Sequence, residues 1–233
     1  MDEQVLAAMA RWPNVPDVYG WLSLTEQGQW RLHPRGDALT PARGDATAGS
    51  SDDVPLPDTT AGVYGPGEPI TSPPILHFID RNYSHDDQGQ WYFQNGPQKV
   101  YVRLDAAPYV LHTSTNPEDG LALHTHNGLG VDAVASWWLD ETGRLFAMTD
   151  HGPGLVAGRD LPAVLTALRT TNGSRLLDAL EGNDGGLADH AVLQVVTNDG
   201  TAPLSTCTAD EIPVKLGFVR LPQPLAEDKG PNA

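Results

Sequence analysis

The sequence predicts an α+β fold of antiparallel, hairpin-rich sheets with repeated hairpin units and a few short helices. Two observations carry this expectation. First, one phrase recurs: Glu26-Gln27-Gly28-Gln29-Trp30, Asp87-Gln88-Gly89-Gln90-Trp91 and Glu141-Thr142-Gly143-Arg144-Leu145 all run acid, polar, Gly, long polar, large apolar, with a fainter copy at Asn198-Asp199-Gly200. The glycines supply the positive φ of a tight turn, and the flanking alternation places large apolar side chains on one face of two antiparallel strands. Their spacing, uneven but near roughly 57 residues, is what a duplicated supersecondary unit leaves after its loops drift. Second, 24 Gly and 20 Pro in 233 residues, with only 19% charged residues, favour turns over long helices.

Taken in order, residues 2–12 have helix-forming composition and are stopped by Pro13 and Pro16. Val18 to Leu32 forms the first hairpin, so that residues 1–33 make an N-terminal helix and hairpin. Residues 34–68 are dominated by Pro, Gly, Ala, Asp, Ser and Thr; they cannot bury enough surface to offset their ordering entropy and are expected to be a flexible linker or surface excursion. A main α+β domain over 69–222 follows. Ile75-Leu76-His77-Phe78-Ile79 is an apolar run ahead of the second hairpin, which returns through Trp91-Tyr92-Phe93. Asn95-Gly96-Pro97 turns the chain into the strand Lys99 to Leu104, and further strands are expected at 109–112, 121–126 and 134–139. Asp160 to Arg169 has helical spacing at Leu161, Val164, Leu165 and Leu168, with Asp160 as N-cap. A shorter helix at 174–180 and strands near 190–197 and 212–220 complete the domain, and 223–233 is a tail.

Several of these segments carry a resemblance. Tyr19-Gly20-Trp21-Leu22-Ser23-Leu24, Asn82-Tyr83, the run from Gln90 through Trp91-Tyr92-Phe93-Gln94-Asn95-Gly96-Pro97-Gln98 to Val102, Pro108-Tyr109 and Trp138-Leu139-Asp140 resemble a proteobacterial family known only as a domain of unknown function. The likeness covers most of residues 17–222 and implies no activity. Between Gly143 and Leu168 the succession of hairpin and helix is similar to another uncharacterised bacterial family, which bears on fold alone.

Fourteen basic against thirty acidic residues give a formal charge of −16, which argues against nucleic acid and anionic membrane surfaces as partners. Cys207 is the single cysteine, so an intrachain disulfide is excluded. The N-terminus is acidic where a signal peptide would be basic, and no apolar run has the length of a bilayer span, so a cytoplasmic location is expected.

The chemistry-bearing groups are few. Tyr83, Gln94, Asn95, Gln98 and Tyr101, beside Trp91 and Phe93, offer uncharged donors and acceptors among aromatics, as small-molecule and peptide sites require. His124 and His126, two apart on a strand, could point to one face and share a metal ion, with His112 or Asp132 completing the set. Asp150-His151 and Asp86-Asp87 lie in turn contexts, and neither a nucleophile elbow nor a phosphate loop accompanies them. The expected function is a binding or regulatory module for a small molecule or protein partner, with a metal-dependent enzyme using His124 and His126 as the alternative. No motif names a cofactor.

Overall fold

The computed structural model describes residues 1–41, 64–116, 120–176, 178 and 192–224. The chain divides into two compact units, the first formed by 1–25, 29–106 and the segment from 218 onward, the second by 26–28 and 107–217. The division at Ala106/Ala107 thus falls inside the span read from sequence as one main domain. Most of the 34–68 segment and the tail lie outside the described residues, as do residues 177, 179 and 180 of the helix expected at 174–180.

In the first unit, helix α1 (Glu3–Arg11) precedes β1 (Val18–Leu24), which pairs antiparallel with β2 (Trp30–Leu32) across the turn at Gly28, φ +78°. After β3 (Glu68–Pro69) comes helix α2 (Pro73–Arg81), then β4 (Tyr83–His85), β5 (Trp91–Asn95) and β6 (Gln98–Leu104). Gly89, φ +76°, closes the β4–β5 hairpin, and Asp86 Oδ1 accepts from the backbone N–H groups of Gln88 and Gln90, both at 2.9 Å. Asp86 is thus a turn residue. The described strands form one mixed sheet in the order β3-β2-β1-β6-β5-β4, with β1 and β6 parallel. Its core is Leu22, Leu24, Trp30, Ile79, Trp91, Val102 and Leu104, all under 5% exposed.

The apolar run Ile75 to Ile79 is helical. Pro73 and Pro74 sit in the first turn, where their missing N–H groups cost nothing. Phe78 meets Phe93 edge-on at 5.5 Å, packing α2 on the sheet, and Asp2 joins it through Arg81 at 3.0 Å.

The second unit opens with the hairpin β7 (Tyr109–Asn116) and β8 (Gly120–Thr125), extended by β9 (Gly130–Val131). A meander follows, β10 (Val134–Asp140), β11 (Leu145–Thr149) and β12 (Gly152–Val156), whose first turn places Gly143 at φ +84°. A 3-10 turn over 158–160 leads into α3 (Leu161–Ala167) and β13 (Leu168–Thr170); β14 (Leu193–Thr197), β15 (Gly200–Cys207) and α4 (Ile212–Leu216) complete the unit. The described sheet order is β13-β14-β15-β10-β11-β12-β7-β8-β9, with parallel pairs at β10–β15 and β12–β7.

Two expectations are corrected here. Residues 212–216 form a helix, not a strand: Pro213 occupies its first turn and Gly217, φ +69°, ends it in the left-handed conformation. Asp160 precedes α3 without a side-chain cap bond, because its carboxylate is drawn to His112 and Thr113.

The units repeat one topology. In each, the first strand of a hairpin pairs in parallel with the last strand of the three-stranded meander that follows: β1 with β6, β7 with β12. Of the sequence phrase, only the copies at Gly89 and Gly143 hold equivalent places, the first turns of the two meanders, whereas Gly28 closes the β1–β2 hairpin; the fold is α+β with mixed sheets.

Candidate functional site: an apolar cavity in the first unit

A cavity of about 410 Å³ lies between α2 and the sheet of the first unit. Val18, Leu22, Phe93 and Val100 come from the sheet, Ile75 and Ile79 from α2, and Trp21, Leu32 and Ile70 complete the apolar wall. Asn95 and Gln98 are its polar lining, and no charged side chain among the described residues lines it. Trp21, Leu32 and Ile75 are each more than 40% exposed, so large apolar groups stand at the opening. Trp30 Nε1 donates to Asp80 Oδ1 at 3.0 Å and fixes α2 against β2. Burial raises the Asp80 pKa, and the Trp30 bond offsets part of that rise.

The amide-aromatic group read from sequence is divided by the strand's period of two. Pairing of Phe93 with Tyr83 and Val100, and of Asn95 with Gln98, puts Tyr83, Asn95 and Gln98 on the α2 side. Tyr83 packs between Trp30 and Trp91, with ring centroids 5.0 and 4.9 Å away. Gln98 Nε2 donates to Pro16 O at 3.0 Å, and Asn95 is exposed. Gln94 and Tyr101 face the other side. Tyr101 stacks on Tyr19 at 4.5 Å and donates to Asp86 Oδ2 at 3.0 Å; burial, then the Asp86 carboxylate, push its pKa up. Gln94 is fully buried, and its Nε2 donates to Gly96 O at 2.9 Å. It borders a separate polar cleft of about 660 Å³ with Trp12, Asp17 and Lys99.

His112 and His124 are cross-strand partners in the second unit, with rings 5.5 Å apart. His126 lies just past β8, accepts from the Val110 backbone N–H at 3.2 Å, and has its pKa lowered to about 4, chiefly by burial. Among the described residues, no three His, Cys, Asp or Glu side chains gather to hold a metal. Asp150 and His151 stand 3.8 Å apart in the turn between β11 and β12, where His151 Nε2 also contacts Gly130 O at 2.7 Å.

One buried polar group was not legible in the sequence. Ser23 Oγ lies 2.9 Å from His33 Nε2, and His33 Nδ1 lies 3.7 Å from Asp37. Arg103 donates from Nε to Asp105 at 2.9 Å and from Nη1 to the carbonyls of Ala38 at 2.7 Å and Gly65 at 3.2 Å. Burial, and next the Arg103 charge, lower the His33 pKa. The order Ser-His-Asp resembles a nucleophile relay, but Ser23 is 0% exposed, and the group serves to satisfy buried polar atoms.

Comparison with solved structures finds a protein of the DUF1285 family from Silicibacter pomeroyi DSS-3, with a TM-score of 0.47 and 13% identity over 88% of this chain and 96% of that one. A DUF1285 family protein from Shewanella baltica OS155 aligns with a TM-score of 0.35 and 12% identity, over 60% of this chain and 86% of that one. No curated protein matches. A family model described as "Protein of unknown function (DUF2946)" matches residues 1–223, nearly the whole chain, and the chain belongs to that family.

Proposed function

We propose that the protein is a binding or regulatory module whose first unit takes a small, uncharged, largely apolar molecule into the cavity between α2 and the sheet. The observation that carries this reading is the cavity's lining: about 410 Å³, within the range of small-molecule sites, apolar except for two amides. A charged ligand would lose its hydration there without gaining a counter-charge. Asn95 supplies the donor and acceptor that orient a single polar group, while Gln98, committed through Nε2 to Pro16, shapes the rim. A cytoplasmic setting goes with this reading; no described helix is long and apolar enough to cross a membrane.

Titration of the full chain with the uncharged fluorophore N-phenyl-1-naphthylamine tests the proposal. Saturable one-to-one binding that is lost in Val100→Phe, which fills the cavity, is the expected result. Equal binding by parent and Val100→Phe would show that the cavity is not the site. The alternative of a metal enzyme at His124 and His126 draws no support from the geometry, because the His126 Nδ1 already accepts from Val110 and no third ligand among the described residues joins the pair.

A further inference from the structure

The second unit holds a cavity with charged side chains among its lining. About 460 Å³ in volume, it is bordered by His112 of β7, Arg144 at the β10–β11 turn, Leu155 of β12, and Arg159 beside α3, with Glu26 and Gln27 of the same unit. Arg144 Nε donates to Asp140 Oδ2 at 2.8 Å, but Nη1 and Nη2 are buried and have no hydrogen-bond partner among the described residues. Asp140 cannot readily serve them. Its Oδ1 already accepts from Thr142 N, Thr142 Oγ1 and Arg144 N at 3.0, 2.7 and 2.8 Å. Buried guanidinium donors left unpaired are costly, and the oxygens of a phosphate or carboxylate match that fork.

Arg159 adds a second cation at the same cavity. His112 Nδ1 stands 3.0 Å from Asp160 Oδ2, and a proton on that nitrogen makes the hydrogen bond. The 3.2 Å approach of Arg159 Nη2 to the same nitrogen then joins two donors and is no bond. Arg159 is left with a 3.5 Å contact from Nε to Asp160, its side chain 76% exposed. Asp140 is held in its turn and Asp160 by His112 and Thr113, while Glu26 accepts from the neutral Gln27 amide at 2.9 Å and keeps its negative charge at the cavity's border. Two guanidinium groups therefore border one cavity, Arg159 with exposed N–H donors and Arg144 with Nη1 and Nη2 enclosed and its guanidinium 5.9 Å from the Phe146 ring.

We propose that this cavity binds a small oxyanion, the phosphate or carboxylate group of a small molecule, held by the exposed donors of Arg159 and the charge of Arg144. The site is independent of the apolar cavity in the first unit. The test titrates the full chain with inorganic phosphate and, separately, with acetate, at an ionic strength held constant with potassium chloride, reading heat of binding and thermal shift. Saturable binding of either anion, weakened at least tenfold in Arg159→Gln and in Arg144→Lys, supports the proposal, and the anion that binds identifies the group recognised. Arg144→Lys keeps a cation beside Asp140; should it melt early, Arg159→Gln, at an exposed position, decides alone. Absence of saturable binding by both anions, or parental affinity in Arg159→Gln, overturns the proposal.

Discussion

The indole Nε1 of Trp30 donates to Asp80 Oδ1 at 3.0 Å, joining β2 to α2 across 50 residues. The bond holds one wall of the apolar cavity in place, and it does so with a carboxylate that burial has pushed above its ordinary pKa of 3.8. A carboxyl whose folded pKa is raised lowers stability progressively as pH rises above the unfolded value, fully above the folded pKa and not at all below the unfolded one. Asp80→Asn keeps an acceptor for Trp30 without the charge. Melting scans should show the variant a few degrees above the parent at pH 7, with the difference vanishing below pH 3.8.

Gln94 and Asn95 should separate cleanly by mutation. Gln94→Ala removes a fully buried amide and the partner of Gly96 O, at a cost of about 1–3 kcal/mol. Asn95→Ala, on the exposed side, should change stability by less than about 0.5 kcal/mol while weakening binding of the naphthylamine probe. Urea denaturation and fluorescence titration read the two effects.

Arg103 is 1% exposed and serves Asp105 and two carbonyls at once. Arg103→Met should destabilise by about 3–5 kcal/mol, because the buried Asp105 loses its guanidinium partner and the carbonyls of Ala38 and Gly65 lose their donor. Arg103→Lys should fail to restore stability, since an ammonium cannot span the same acceptors. Chemical denaturation of both variants checks this.

His126 makes the second unit acid-sensitive. Its folded pKa of about 4 lies below the ordinary 6.5, so the folded state resists its protonation. The stability this contributes is full above pH 6.5 and is lost as pH falls toward 4, by roughly 2–3 kcal/mol. Hydrogen exchange of β7 and β8 peptides should accelerate across that window, and His126→Gln should flatten the dependence.

The hairpins could be read from the sequence because their signal is local: a glycine at positive φ between alternating apolar residues. The segment 212–216, read as a strand, and the unassigned run Ile75 to Ile79 are both short apolar runs, for which periodicity alone does not separate strand from helix. The prolines at their starts were the better guide. The candidate site was half legible. Asn95 and Gln98 do line a cavity, but its walls come from residues 18 to 100, and adjacent amides fell on opposite faces. The Arg103 network joins residues up to 80 positions apart, and no window of sequence contains it.

The parallel seam between β1 and β6 has a consequence for synthesis. Leu22 pairs with Val102, so β1 leaves the ribosome about eighty residues before its central neighbour exists. During that interval the β1–β2 hairpin presents an apolar edge, and at ordinary translation rates of about 5–20 residues per second the exposure lasts several seconds. The second unit repeats the delay on a shorter scale, with Val110 waiting for Leu155. Closing such distant pairs is slow compared with forming local hairpins, which makes the nascent first unit the stage at which this chain is most open to chaperone capture or mispairing.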